Sequence, residues 1–205
     1  MVEQAPTSKI DFNLKYPDLF TATVWKVTQV QVPKLQFLTT TGTGSHDQKA
    51  FQVAAQGLHG IAFALKFRIK RRQVTWFTDY LMPPVEAIWK NLRKKPELRE
   101  WKAFLLQPVT VTSALLYEVT DIATMRHPDT PLPEVKLETC SEGACLQTLH
   151  RGPYALLDTA ETAIHSYAKE WGLKIEKTRH EIYLNDPRKT KEGDLETIIR
   201  MQVAK

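Results

Sequence analysis

The sequence predicts an α+β fold in which two strand–helix–strand–strand modules build one curved antiparallel sheet, with their long helices on one face. Three observations lead there. Two segments carry apolar stripes at spacings of three and four: residues 51–69, through Ala54, Ala55, Leu58, Ala62 and Leu65, and residues 154–171, through Leu157, Ala160, Ile164, Tyr167 and Ala168. Short segments of strand composition, bounded by Pro, Gly or charged loops, surround both. Finally, Tyr80-Leu81-x-x-Pro84 followed by VEAIWK recurs as Tyr183-Leu184-x-x-Pro187 followed by LETIIR. The seam between two such halves is a natural cleft, where small molecules usually bind.

Taken in order, residues 1–22 read as a polar opening segment with one short helix. Residues 25–32 alternate as a strand, with Trp25, Val27, Gln29 and Gln31 on one face, until Pro33 ends it. Residues 34–41 form the next strand, closed at Gly42-Thr43-Gly44. Ser45 or Asp47 caps the first long helix; Gly57 and Gly60 within it are expected where it approaches the sheet closely. Residues 75–81 and 85–91 are strands joined by a tight turn at Met82-Pro83-Pro84. Residues 101–107 make a strand, 113–125 a helix, and the three-proline segment 127–133 a linker. Residues 135–139 and 144–150 form a hairpin around Ser141-Glu142-Gly143. Gly172 stops the second long helix, and 178–184 and 195–203 are the last strands. One domain over 1–205 is expected, with half one at about 23–100, half two at about 133–205, and a linking strand and helix at about 101–126.

Composition narrows the function. The 205 residues are 42% hydrophobic and 25% charged, and the mean hydropathy is −0.34. No apolar run approaches the ~18 residues of a membrane span, and residues 1–20 lack the apolar centre of a signal peptide. A cytoplasmic protein with no membrane partner is expected. The net charge of +5 is compatible with nucleic acid. The basic runs at 68–72 and 90–95 read instead as a solvated helix end and turn, because no nucleic-acid-binding motif accompanies them. Two cysteines, Cys140 and Cys145, make neither a disulfide framework nor a zinc site, and the six histidines show no ligand spacing. No metal and no cofactor are expected. A phosphate-binding glycine loop and a Gly-x-Ser-x-Gly elbow are both missing, which argues against kinase, dinucleotide-binding and triad-hydrolase classes.

The chemistry-bearing candidates lie near the motif. On a strand, Glu181 and Tyr183 share one face and Ile182 and Leu184 the other. If Ile182 and Leu184 pack under the helices, Glu181 and Tyr183 face the opposite, concave side. There a glutamate can neutralise a cation or act as a general base, and a tyrosine can donate to a carbonyl. Spacing alone favours the plainer reading of a solvent-facing Glu and an edge Tyr. Tyr80, matched to Tyr183 in the repeat, and Trp89 and Trp101 are the aromatic candidates for stacking on a ligand; filling the core is the other reading for each.

These residues resemble the GyrI-like small-molecule-binding family, including its stand-alone members related to cyclopropanoid hydrolases. The resemblance is carried by residues 63–67, by 79–83 with 85–89, by Glu142-Gly143 with 147–154, and above all by 180–190 (HEIYLNDPRKT), and runs from about residue 9 to the end. Pro84 and Lys90 depart from the family pattern, where a Leu and a second Trp are usual. The resemblance implies two pseudo-twofold modules of the SHS2 type, with a ligand cleft between them and Glu181 in that cleft among aromatics. Regulators with this fold sense bulky, often cationic drugs. No DNA-binding segment is recognised here, so a complete regulator is not expected. Some relatives hydrolyse strained cyclopropane rings of DNA-alkylating compounds as a detoxification step, a glutamate assisted by tyrosine directing water onto the ring. Three functions therefore compete. The first is a pocket protein for hydrophobic, aromatic or cationic small molecules. The second is a hydrolase with Glu181 and Tyr183 as catalytic residues. The third, by fold analogy alone, is a protein-interaction module such as a gyrase modulator. The expected partner is a small-molecule ligand or substrate, with the chain a monomer or homodimer.

Overall fold

The computed structural model describes residues 9–46, 48–71, 79–126 and 134–204. Two short helices, α1 (Phe12–Lys15) and α2 (Pro17–Phe20), precede β1 (Thr28–Val32), β2 (Leu35–Thr43) and the long α3 (Lys49–Arg71). Then come β3 (Val85–Lys90), β4 (Glu100–Gln107) and α4 (Ser113–Arg126), followed by β5 (Lys136–Cys140), β6 (Gly143–Arg151), α5 (Leu157–Glu170), β7 (Arg179–Tyr183) and β8 (Glu196–Gln202). Of the strand expected at 75–81, residues 75–78 lie outside the described residues, and Tyr80 makes only an isolated bridge to Ile10. The linker expected at 127–133 also lies outside them.

All the strands join one antiparallel sheet in the order β1-β6-β8-β7-β3-β4-β2-β5. The modules β2–α3–β3–β4 and β6–α5–β7–β8 repeat one arrangement about a pseudo-twofold, and they meet where β3 runs beside β7. Helix α3 packs on β2 and β4, and α5 on β6 and β8, both on the same face. Module order makes β3 the counterpart of β7 and β4 that of β8. The sequence motif had paired β3 with β8, so Tyr80 is not the counterpart of Tyr183: Tyr80 precedes β3, whereas Tyr183 ends β7.

The hairpin expected between β5 and β6 does not form. Instead, β5 pairs with β2, and β6 with β1 and β8. The β1–β6 register, from Thr28 opposite Gln147 to Val32 opposite Gly143, continues as β2–β5, from Leu35 opposite Cys140 to Thr39 opposite Lys136. Partner numbers add to the same total throughout, so each strand pair is one long ribbon bent at Pro33-Lys34 and Ser141-Glu142. Gly143 does adopt the left-handed conformation of a turn residue (φ 67°), but it is used for a bend within one extended chain. Strands at opposite ends of the sheet are therefore two residues apart in sequence, and the sheet must curl to join them.

Inside the curl, Val32, Leu35, Phe37, Phe104, Leu106, Ile182 and Ile198 pack on Phe12, Leu19 and Phe20 of α1 and α2. Residues 9–22 of the segment read as polar thus contribute to the core. Asp11 caps α1 by accepting from Asn13 N–H at 2.9 Å, Pro17 starts α2, and their apolar residues plug the inner face. Gly60 is also not where it was expected, since it faces open space on the exposed side of α3. Gly42 is the glycine that a close approach requires, because a Cβ there would lie 2.3 Å from Trp101 Cζ2.

The inner face also buries charge. His180 Nδ1 lies 2.8 Å from Glu142 Oε2 and its Nε2 3.1 Å from Glu86 Oε2, while Arg200 donates to Leu19 O and Gln147 Oε1. Burial alone would lower the His180 pKa, but the two carboxylates outweigh it and raise it to about 9. A histidine whose folded pKa lies above its ordinary 6.5 adds stability that is complete below that value and lost as pH rises through about 9. The urea midpoint should therefore fall between pH 6.5 and about 9, with a shallower fall in Glu142→Gln; a midpoint that rises across that window would contradict this pairing.

Candidate ligand-binding site

A groove crosses the β3–β7 seam on the helix face. One wall is α3, through Phe51, Ala55, His59 and Phe63; the other is the turn leading into α5 and its first residues, through Tyr154 and Asp158; Val85, Arg179 and Tyr183 form the floor. Alternation along β7 turns Arg179, Glu181 and Tyr183 toward the helices and His180 and Ile182 inward. The expected orientation was the reverse. The inner face has its own apolar filling from α1 and α2, so Ile182 finds a core there, and alternation could not tell the two faces apart.

Glu181 is fully buried in this floor. Ala87 sits opposite it on β3 and is too small to cover the carboxylate. Arg179 Nε donates to Oε1 at 2.8 Å, Tyr183 OH donates to Oε2 at 2.8 Å, and His46 Nε2 lies 2.5 Å from Oε2. Behind Tyr183, Trp89 Nε1 donates to the phenol oxygen at 3.0 Å. Arg179 is held from the other side, its Nη1 donating to Asp158 at 2.6 Å and Glu161 at 2.9 Å. Burial would push the Glu181 pKa up, but His46, Arg179 and Tyr183 overcome it and hold it at about 2. The same carboxylate works on its neighbours. Burial and the Glu181 charge push the Tyr183 pKa well above its ordinary value and that of Tyr154 to about 12. Burial opposes the Arg179 charge, yet Glu181, Asp158 and Glu161 raise its pKa.

The aromatic shell is built mainly on His46. Its ring lies 4.2 Å from Trp89 at 32° and 5.1 Å from Tyr154 at 25°, with Phe51 and Tyr183 edge-on at 6.0 and 6.2 Å. Of the residues expected from sequence, the structure brings Glu181, Tyr183 and Trp89 together and leaves two elsewhere. Tyr80 is fully buried away from the groove, its hydroxyl donating to Gln107 Oε1 at 3.0 Å and its ring edge-on to Phe12. Trp101 is buried against Gly42 and Phe51. His46, Arg179 and Tyr154 were missed. The period of two along β7 places Arg179 on the Glu181 face and would have found it. His46 reaches Glu181 across 135 positions and leaves no local signal.

Comparison with known proteins agrees with this fold. The model of the GyrI-like small molecule binding domain matches residues 109–204. Two solved structures from Listeria innocua, one described as an uncharacterized conserved protein and one as a hydrolase encoded by lin2189, are each 30% identical. Each match covers 96% of this chain and 100% of the other, with a TM-score of 0.85. The chain belongs to the GyrI-like family. The fold of this GyrI-like chain is shared by the EcmrR C-terminal domain, at 9% identity, 88% and 98% coverage and a TM-score of 0.53. No curated protein matches it. Among the described residues, no helix is long and apolar enough to cross a membrane, and no cluster of His, Cys, Asp and Glu is arranged to hold a metal ion.

The Tyr183 hydroxyl links two buried groups, so removing it orphans the Trp89 N–H. Tyr183→Phe should cost about 1–3 kcal/mol of stability, read by chemical denaturation; an unchanged midpoint would mean the link is not made.

Proposed function

We propose that this GyrI-like chain binds hydrophobic, aromatic or cationic small molecules in the groove between its two modules, with Glu181 as the acceptor at the floor, Tyr183 beside it and Trp89 behind them. One observation carries the reading: a fully buried carboxylate, hydrogen-bonded by Arg179 and Tyr183, beneath an open groove walled by Phe51 and Tyr154 and floored by Tyr183. Flat apolar faces gain by covering a planar ligand, and a desolvated carboxylate attracts a cation far more strongly than it would in water. Trp101 supports the wall from the core through Phe51 rather than touching the ligand, and Tyr80 belongs to the inner core.

A second reading is water addition to an electrophilic cyclopropane. It is favoured by the 2.8 Å bond between Tyr183 and Glu181 and by the 30% identity to a protein described as a hydrolase. Glu181 would accept a proton from water as its oxygen bonds to a ring carbon. The strained carbon–carbon bond would break toward a conjugated carbonyl, and Tyr183 would donate to that oxygen. The ring supplies its own strain, so the protein need only position water and steady the developing charge.

Both readings meet in one comparison. A planar aromatic cation such as ethidium, titrated by fluorescence, should bind the wild type, and Glu181→Gln should weaken it by about 2 kcal/mol or more. Equal affinity in the two proteins would remove Glu181 from the binding site. Incubation with a spirocyclopropane alkylator then decides on catalysis: ring-opened product with the wild type and none with Glu181→Gln supports hydrolysis, and no product with either removes it for that substrate.

A further inference from the structure

We propose that the imidazole of His46 is the chain's own occupant of the ligand slot, and that a small molecule gains Glu181 only by displacing it. The proposal rests on the groove being the binding site and adds what fills that site at rest, and hence what kind of ligand can take its place.

Geometry carries the argument. The His46 ring is stacked on Tyr154 and tilted against Trp89, and two more rings, Phe51 and Tyr183, meet it edge-on. That is a slot one flat ring thick. At its end the ring meets the Glu181 carboxylate at 2.5 Å. An ionised carboxylate only accepts hydrogen bonds, so Nε2 carries the proton and His46 acts as the donor. A flat nitrogen ring offering an N–H to a buried acid is the arrangement of a bound heteroaromatic ligand, supplied here from the protein itself.

The three donors to Glu181 differ in how they are anchored. Arg179 and Tyr183 stand on β7 within two residues of the acid. They are fixed in turn by Asp158 and Glu161 and by Trp89. His46 comes from the connection between β2 and α3 and lines the groove beside Arg179 and Tyr183. It is the donor not carried by the strand that bears the acid, and so the one that an incoming molecule can replace without disturbing β7. Once it leaves, Oε2 keeps the Tyr183 hydroxyl and loses its other donor, and a buried acceptor left short is costly. A replacement must therefore bring both parts: a planar ring for the slot and an N–H or O–H for the acid. Flat hydrocarbons satisfy only the first. While His46 is seated, Glu181 is also held strongly ionised and screened from the groove, and so is a poor base. Displacement would restore both its basicity and its access.

Imidazole is the direct probe, because it replaces the missing side chain with its own ring. Ligand-observed NMR should show saturable imidazole binding to His46→Ala, about tenfold tighter or more than to the wild type, whose slot is already filled. His46→Phe refills the slot with a ring that has no donor and should bind no imidazole; it also shows whether the position tolerates substitution. Thiophene, flat but without a donor, should bind His46→Ala more weakly than imidazole does. Ethidium affinity should rise in His46→Ala. If His46→Ala folds yet takes no imidazole, and ethidium binds it and the wild type alike through Glu181, His46 is a bystander and this inference fails while the groove remains the binding site. If ethidium binding is independent of Glu181 in every variant, the site itself is misplaced and both fall.

Discussion

A carboxylate with no access to water must be compensated from inside the protein, and the site is organised around that demand at Glu181. Its donors come from three places: its own strand through Arg179 and Tyr183, the β2–α3 connection through His46, and, one step removed, β3 through Trp89. Arg179 is itself a buried charge and is answered by Asp158 and Glu161 on α5. One acid therefore ties both modules and both long-helix regions to the seam. A buried charge that lost any of these partners would cost more than the pair contributes, so the arrangement fixes geometry more than it adds stability.

The fold supplies that acid with a floor that cannot easily open. The β3–β7 ladder joins the modules at the centre, and the bent ribbon made by β1–β2 and β5–β6 joins them again at the outer edges. A sheet held at two places resists separation of its halves, which keeps Trp89, Ala87 and Glu181 in register. The opposite side of β7 carries a second charged group, His180 with Glu86 and Glu142, sealed under α1 and α2. Adjacent residues of one strand thus serve two separate burials, one open to the groove and one closed.

Much of this was legible in the sequence where the cause was local. The stripe from Phe51 to Ile69 is an interaction of one helix with one sheet, and it gave α3 to within two residues at each end. The pairing of Glu181 with Tyr183 follows from strand alternation alone. The misreadings came from choices that only long-range packing settles. Ser141-Glu142-Gly143 has hairpin chemistry, yet the chain only bends there and continues, with β5 pairing β2 and β6 pairing β1 instead of each other. Phe12, Leu19 and Phe20 are too widely set among polar residues to announce a core. Ile182 had an apolar surface available on either side. The Tyr-Leu-x-x-Pro motif repeats in sequence but not in position, and it led to Tyr80 rather than to Tyr154 and His46.

The central claim is that Glu181 is an ionised, internally compensated acid. Its side-chain carboxyl carbon, followed by NMR with selectively labelled glutamate and assigned by Glu181→Gln, tests that claim most directly. The carboxyl signal should stay that of a carboxylate well below the ordinary glutamate midpoint of 4.5, with its own midpoint near 2 or with acid unfolding intervening first. A midpoint at or above 4.5 in the folded protein would mean that the acid is neutral or solvated, and that the compensating network does not exist.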